Sequence, residues 1–220
     1  VTGNLNPDLL QQAFSDLERA GERVAAVVPV DLVGKVADHD RIARIAATLR
    51  HAAIETGANH LGEIAQLAAI CEPDVGLVIN AGPAHLEGFG GIEGVARGKG
   101  ELFEALGVED TAVINADDRY AAFWRGLARA AGRIVTFGMR ERAALSASNV
   151  RGQPANDGFA TEFELASPLG RRRIRLALAG EHNVMNALAA AAAATAAGAS
   201  LDAIEHGLLL SQRHVFGVFF

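Results

Sequence analysis

The chain has 220 residues, half of them hydrophobic, with 21% charged residues and a formal net charge of −6. That apolar content supports a packed core in one large or two small domains and excludes general disorder. The acidic balance argues against a nucleic-acid partner, because nucleic-acid binders carry a basic excess or a basic stripe.

Short β-branched runs alternate with helical patterns along the first two thirds of the chain. Residues 23–30 (RVAAVVPV) read as a strand and 38–50 (DHDRIARIAATLR) as a helix. A strand at 52–56 (AAIET), a helix at 62–71 (GEIAQLAAIC) and a strand at 74–80 (DVGLVIN) follow. Residues 91–106 (GIEGVARGKGELFEAL) read as a helix weakened by glycines. A strand at 111–116 (TAVINA), a helix at 118–132 and a strand at 133–138 (RIVTFG) complete the series. Apolar runs of this length between helices fit buried parallel strands. The expected fold class is α/β: a mostly parallel, Rossmann-like sheet flanked by helices.

From 141 to 179 the helical signal fades. Residues 158–180 read as a β-hairpin excursion with SPLG (167–170) as its turn. The basic run RRRIR (171–175) lies in one of its strands and reads as a solvated strand face rather than a phosphate patch. The alanine-rich stretch 181–198 reads as a buried helix closed by Gly198. Residues 200–210 read as a further helix with Ser200 as N-cap. The apolar tail 211–220 needs a cover.

Cys71 is the single cysteine, so no internal disulfide can form. Its expected role is packing at the end of its helix, and the expected compartment is reducing, hence cytoplasmic. The sequence shows no leader pattern and no apolar run of the roughly 20 residues a membrane span requires. It does not begin with Met, as expected of a processed chain or a piece of a longer one.

Three strand ends carry polar groups: Glu55, Asn80, and Asn115 with Asp117 and Asp118. Open parallel sheets bind ligands at the carboxyl ends of their strands. Just after Asn80 runs GPAHLEGFGGIEGVARGKGE, which holds Lys99, one of only two lysines in the chain. Its glycines would let the backbone pass close to a ligand.

Three segments occur in an informative order: IETGANHLGEIAQLAAICEPDVGLVINAGPAHLEGFGGIEGVARGKGELFEAL, VINADDRY and AGEHNVMNALAAAAA. Together they resemble the central domain of the Mur ligases, and most closely the MurF type, over roughly 50–210. The resemblance implies an ATP-dependent ligase of peptidoglycan precursor synthesis. Its substrates would be a UDP-N-acetylmuramoyl tripeptide and D-alanyl-D-alanine, joined through an acyl phosphate, with ATP and Mg²⁺ as cofactors. It also implies roles for individual residues. Glu55 and His85 correspond to the metal-binding glutamate and histidine; the alternatives are a helix-capping acid and a structural histidine. Lys99 corresponds to the family's carbamylated lysine, an ammonium converted to an anion that helps organise metal. Asn59 and His60 fall in a loop placed near substrate, with a helix N-cap by Asn59 as the alternative. Asn183, His182 and Asn186 match the segment lying against adenine, or else cap the alanine-rich helix. Asp117 and Asp118 match a segment near the nucleotide, or else begin a helix. Asn80 is a nucleotide-side candidate or a simple turn residue.

The sequence also departs from the family. It contains no G-x-x-G-K-[ST] loop, whose backbone N–H groups and lysine would cradle ATP phosphates. Lys35, in LVGKVAD, lacks the second glycine and the Ser/Thr. The opening VTGNLN fuses wording from two separate family segments. The expected organisation is a divergent or rearranged segment at 1–49, the central ATP-binding-type domain at 50–210 and a truncated tail at 211–220. Arg213 is not equated with the family's later arginine. The chain alone is therefore expected to be inactive or very weak, since phosphoryl transfer depends on positioning and charge stabilisation. The alternative is a non-catalytic remnant, a nucleotide- or partner-binding module. A dinucleotide-dependent oxidoreductase is disfavoured because G-x-G-x-x-G is missing after the first strand.

Overall fold

A computed structural model describes residues 56–83, 86–155 and 158–210. The strand and helix expected at 23–30 and 38–50 lie outside the described residues. So do the strand at 52–56, apart from Thr56, and the tail. The described residues fall into two compact units, 56–72 with 86–101 and 73–83 with 102–210.

The first unit is helical. It holds α1 (Glu63–Cys71), the single turn α2 (Leu86–Phe89) and most of α3 (Ile92–Glu104). Helix α1 buries Ile64, Leu67 and Ala68, one stripe at helical spacing. Cys71 is its last residue and half-buried.

The second unit contains a six-stranded mixed sheet in the order β1-β2-β3-β4-β5-β6. The strands are β1 (Val75–Val78), β2 (Thr111–Asn115), β3 (Arg133–Gly138), β4 (Leu145–Ala155), β5 (Gly158–Ser167) and β6 (Gly170–Leu176). The first four pair in parallel and the last three antiparallel. Helix α4 (Ala121–Leu127), continued by a 3₁₀ turn at Ala128–Ala130, connects β2 to β3.

Strand β2 is buried along its whole length, as its unbroken apolar run requires. Alternate side chains serve opposite faces. Val113, with Val135 and Phe137 of β3, meets α5 (Glu181–Ala196) and α6 (Leu201–Leu210) through Val184, Ala187, Leu188, Ala191 and Ile204. Alanines on α5 let the helix lie close to the sheet. On the other face Phe103 and Trp124 are fully buried, their rings 6.2 Å apart and tilted. Helix α5 closes in a Schellman arrangement. Gly198, at φ +84°, donates to the Thr195 carbonyl, and Ala199 donates to that of Ala194. Ser200 Oγ accepts the Ala203 N–H, the expected N-cap of α6.

The expected hairpin is β5–β6, with its turn at Ser167–Gly170. Strand β4 is an addition that the sequence reading left unassigned. It follows β3 after a short loop, although parallel neighbours ordinarily need a long crossover. The exception is geometric: the two strands overlap only at Phe137↔Leu145 and Gly138↔Ser146. Strand β4 therefore starts level with the end of β3 and runs onward. The arginine run is a strand face facing acids. Arg175 lies opposite Glu162 and Arg171 approaches Glu164. Arg172 reaches α6, pairing with Asp202 and Glu205, and the Asp202 carboxylate raises its pKa.

Candidate nucleotide and substrate site

Parallel pairing places the ends of β1, β2 and β3 along one edge of the sheet. Asn115 closes β2 and is 5% exposed. Its Nδ2 donates to the Ile79 carbonyl at 2.9 Å, and its Oδ1 accepts the Asp117 N–H at 2.9 Å. Asp118 Oδ2 accepts the Ala81 N–H at 2.9 Å, and Oδ1 accepts the Tyr120 N–H at 2.8 Å. The Asn115–Ile79 and Asp118–Ala81 contacts bracket half-buried Asn80 in the chain leaving β1.

Asp117 turns to the other neighbouring loop. Its carboxylate accepts the N–H groups of Met139 at 2.7 Å, Glu141 at 2.8 Å and Arg140 at 3.1 Å. Arg140 in turn reaches Glu181, the first residue of α5, at 3.5 Å. There Gly180 is the N-cap and provides no side-chain cap. Asn183 does not cap the helix either. Its Nδ2 donates to the Ala179 carbonyl at 2.7 Å and lies 3.0 Å from His182 Nε2. Its Oδ1 has no protein partner among the described residues. His182 is exposed, and Asn186 lies half-buried one turn further along the same helix. Asn80, Asn115, Asp117, Asp118 and the start of α5 thus belong to one connected set of loops.

In the helical unit, Asn59 is not the cap of α1. The N-cap is Gly62, in the left-handed region at φ +89°. Instead, Glu63 Oε2 accepts the Asn59 N–H at 2.7 Å and that of His60 at 3.2 Å. The His60 ring lies 3.1 Å from Glu63 Oε1. The Asn59 N–H, with help from His60, holds the Glu63 carboxyl below its usual pKa. Buried Glu101 accepts the Gly62 and Ala65 N–H groups at 2.7 and 3.1 Å, capping α1 from α3. Neither role was legible beforehand. Glu101 is a distant residue on another helix, and Glu63 is the first residue of α1 rather than the third, so its reach back to Asn59 and His60 is not a capping box.

Lys99 is half-buried on α3. Glu55 and His85 lie outside the described residues, and among the described residues no three His, Cys, Asp or Glu side chains group to hold a metal ion. Two neighbouring glycines make room for protein rather than ligand. A Cβ on Gly88 would fall 2.1 Å from the Asn59 carbonyl oxygen, and one on Gly94 would fall 1.8 Å from that of Phe89.

Comparison with known proteins fits this arrangement. The Mur ligase middle domain matches residues 36–194, and the chain belongs to the Mur ligase family. It is most similar to the MurF type. The UDP-N-acetylmuramoyl-tripeptide--D-alanyl-D-alanine ligase of Escherichia coli (strain K12) is 39% identical over 206 residues, covering 91% of this chain and 41% of that one. A crystal structure of MurF from Acinetobacter baumannii has a TM-score of 0.72 and 32% identity, covering 89% of this chain and 41% of that one. The MurF ligase of Thermotoga maritima in complex with ADP shares the fold, with a TM-score of 0.65 at 19% identity, covering 87% of this chain and 43% of that one. The chain thus spans about two fifths of the length of these relatives.

Proposed function

We propose that this chain is the nucleotide-handling middle domain of a ligase that joins D-alanyl-D-alanine to a UDP-N-acetylmuramoyl tripeptide in the cytoplasm, using ATP and Mg²⁺. The observation that carries the reading is its 39% identity with the Escherichia coli ligase across 91% of the chain. The substrate carboxylate would be activated as an acyl phosphate, and the dipeptide amine would then displace phosphate to form the amide.

The residue roles follow the family pattern. Asn183, His182 and Asn186 face adenine at the start of α5. Asn183 uses its Nδ2 internally, which leaves Oδ1 as the acceptor for an exocyclic amine. Asn80 belongs to the nucleotide side. Asn59 and His60 form the substrate loop, whose backbone Glu63 fixes. Asp117 matches a nucleotide-side acid of the family, but its carboxylate accepts three backbone N–H groups, which favours a supporting role instead. By the family pattern, the groups that would hold Mg²⁺ are the Glu55 carboxylate, the His85 imidazole and, if Lys99 is carbamylated, its carbamate oxygens, so that oxygen donors suited to a hard cation would predominate. When bound, the ion supplies neutralisation of phosphate charge.

The sequence provides no phosphate-cradling loop, so this polypeptide alone is expected to bind nucleotide weakly and not to turn over. That same feature favours a second reading, a non-catalytic nucleotide- or partner-binding module derived from a Mur ligase. Calorimetry with Mg-ATP, paired with phosphate release in the presence of both substrates, tests the expected inactivity. Weak binding without turnover fits the isolated domain, whereas robust turnover by this chain would overturn the inactivity. A 44-Da carbamate shift on Lys99 supports its role, and normal metal binding by Lys99→Ala in an active full-length relative would remove it.

A further inference from the structure

We propose that Asn115, Asp117 and Asp118 form a two-way clamp that positions the loops on either side of β2, and that neither acid is a nucleotide ligand. Asn115 is almost fully buried and uses both ends of its amide internally, one on Ile79 and one on the Asp117 backbone. Asp118 holds the loop after β1 through the Ala81 N–H. Asp117 holds the loop after β3 through three consecutive N–H groups. These are charge-assisted bonds to a carboxylate, stronger than neutral pairs. A ligand taking over the Asp117 carboxylate would have to compete with these three N–H groups, of which the Met139 N–H at 2.7 Å is partly buried.

Gly138 is the second independent observation. A Cβ there would lie 2.7 Å from Asp117 Oδ1, so the carboxylate is seated directly against the backbone of β3. The held loop carries Arg140, which reaches Glu181 at the head of α5. The contacts to Ile79 and Ala81 hold the segment around Asn80 on one side of β2, and those of Asp117 hold the loop after β3 on the other.

That these loops serve a nucleotide rests on the proposed function. The clamp itself is tested without nucleotide, by amide exchange in the full 220-residue chain. Asp117→Ala and Gly138→Ala are each expected to speed exchange at Met139 and Glu141 about tenfold, leaving Ala81 unchanged. Asp118→Ala is expected to do the reverse. Asp117→Asn, which keeps one carbonyl acceptor, is expected to restore part of the protection. Unchanged rates would overturn the clamp. So would uniform acceleration that includes Val113 and Ile114 in β2, because the motif would then be stabilising the whole unit rather than two loops. ADP titration of the same samples reads the functional part separately. No ADP binding by the parent chain would remove the nucleotide reading and leave the exchange result standing. Full ADP affinity in variants with released loops would overturn the positioning role.

Discussion

The Glu101 carboxylate accepts the Gly62 backbone N–H at 2.7 Å, so α3 supplies the N-terminal cap that α1 lacks in its own sequence. The same carboxylate takes the Ala65 N–H at 3.1 Å. Helix N-termini leave several N–H groups without an internal partner, and a carboxylate there is favoured by both hydrogen bonding and the helix dipole.

Glu101→Ala is therefore expected to destabilise the protein by about 0.5–2 kcal/mol, the usual cost of losing a helix N-cap. Glu101→Gln keeps one acceptor oxygen and should lose less. Urea unfolding measures both. A loss for the alanine variant within about 0.5 kcal/mol, the ordinary range for a surface change, would show that water replaces the cap at no cost.

Much of the parallel part of the fold was legible because the apolar runs at 74–80, 111–116 and 133–138 are bounded by helical patterns and turn residues. The hairpin was legible from its turn. Strand β4 was not. Its segment, LSASNVRGQPA, is polar and broken by glycine and proline, and it is held in the sheet by pairing with β5 rather than by its own pattern. The strand-end residues Asn80, Asn115, Asp117 and Asp118 were legible as a group. Their division of labour was not, because a carboxylate aimed at backbone N–H groups looks the same in sequence as one aimed at a ligand. Glu101 shows the same limit, since its partners lie 36 and 39 residues away.

Trp124 is the only tryptophan and is fully buried against Phe103. Its removal leaves a large cavity beside the sheet, so Trp124→Ala is expected to cost about 3–5 kcal/mol. Trp124→Phe should retain most of the packing. The parent's emission should be blue-shifted in the folded state and move to the red on unfolding. A native-state spectrum typical of exposed indole would contradict the buried site.

The Glu63 contacts predict a pH dependence with a definite sign. The Asn59 N–H, aided by His60, lowers the folded-state pKa below the ordinary value of 4.5. The unfolded chain therefore binds the proton more readily, and stability rises with pH through this window. The contribution is complete above about pH 4.5 and is lost as pH falls through the lowered folded value. Because the Glu63 side chain is 41% exposed, the effect is screened and modest. The protection factor of the Asn59 amide, that is, its exchange rate relative to the intrinsic rate at the same pH, should fall on acidification in the parent. In Glu63→Gln it should already be lower at neutral pH and stay flat across the same range. An identical acid response in both would place the titrating group elsewhere.

Two helical glycines should respond to alanine with opposite signs. Alanine normally stabilises a helix relative to glycine by about 0.8–1 kcal/mol, because glycine loses more backbone entropy on folding. At Gly126 on α4 nothing lies within 4 Å of an added Cβ, so Gly126→Ala should realise some of that gain. At Gly94 on α3 the Cβ would sit 1.8 Å from the Phe89 carbonyl oxygen, which is backbone and cannot rotate away. Helices α2 and α3 would have to separate, and overpacking of this kind costs about 1–3 kcal/mol. Gly94→Ala should therefore lower the thermal midpoint while Gly126→Ala raises it. A matching gain at both sites would mean that the close approach of α2 to α3 is not required by the fold.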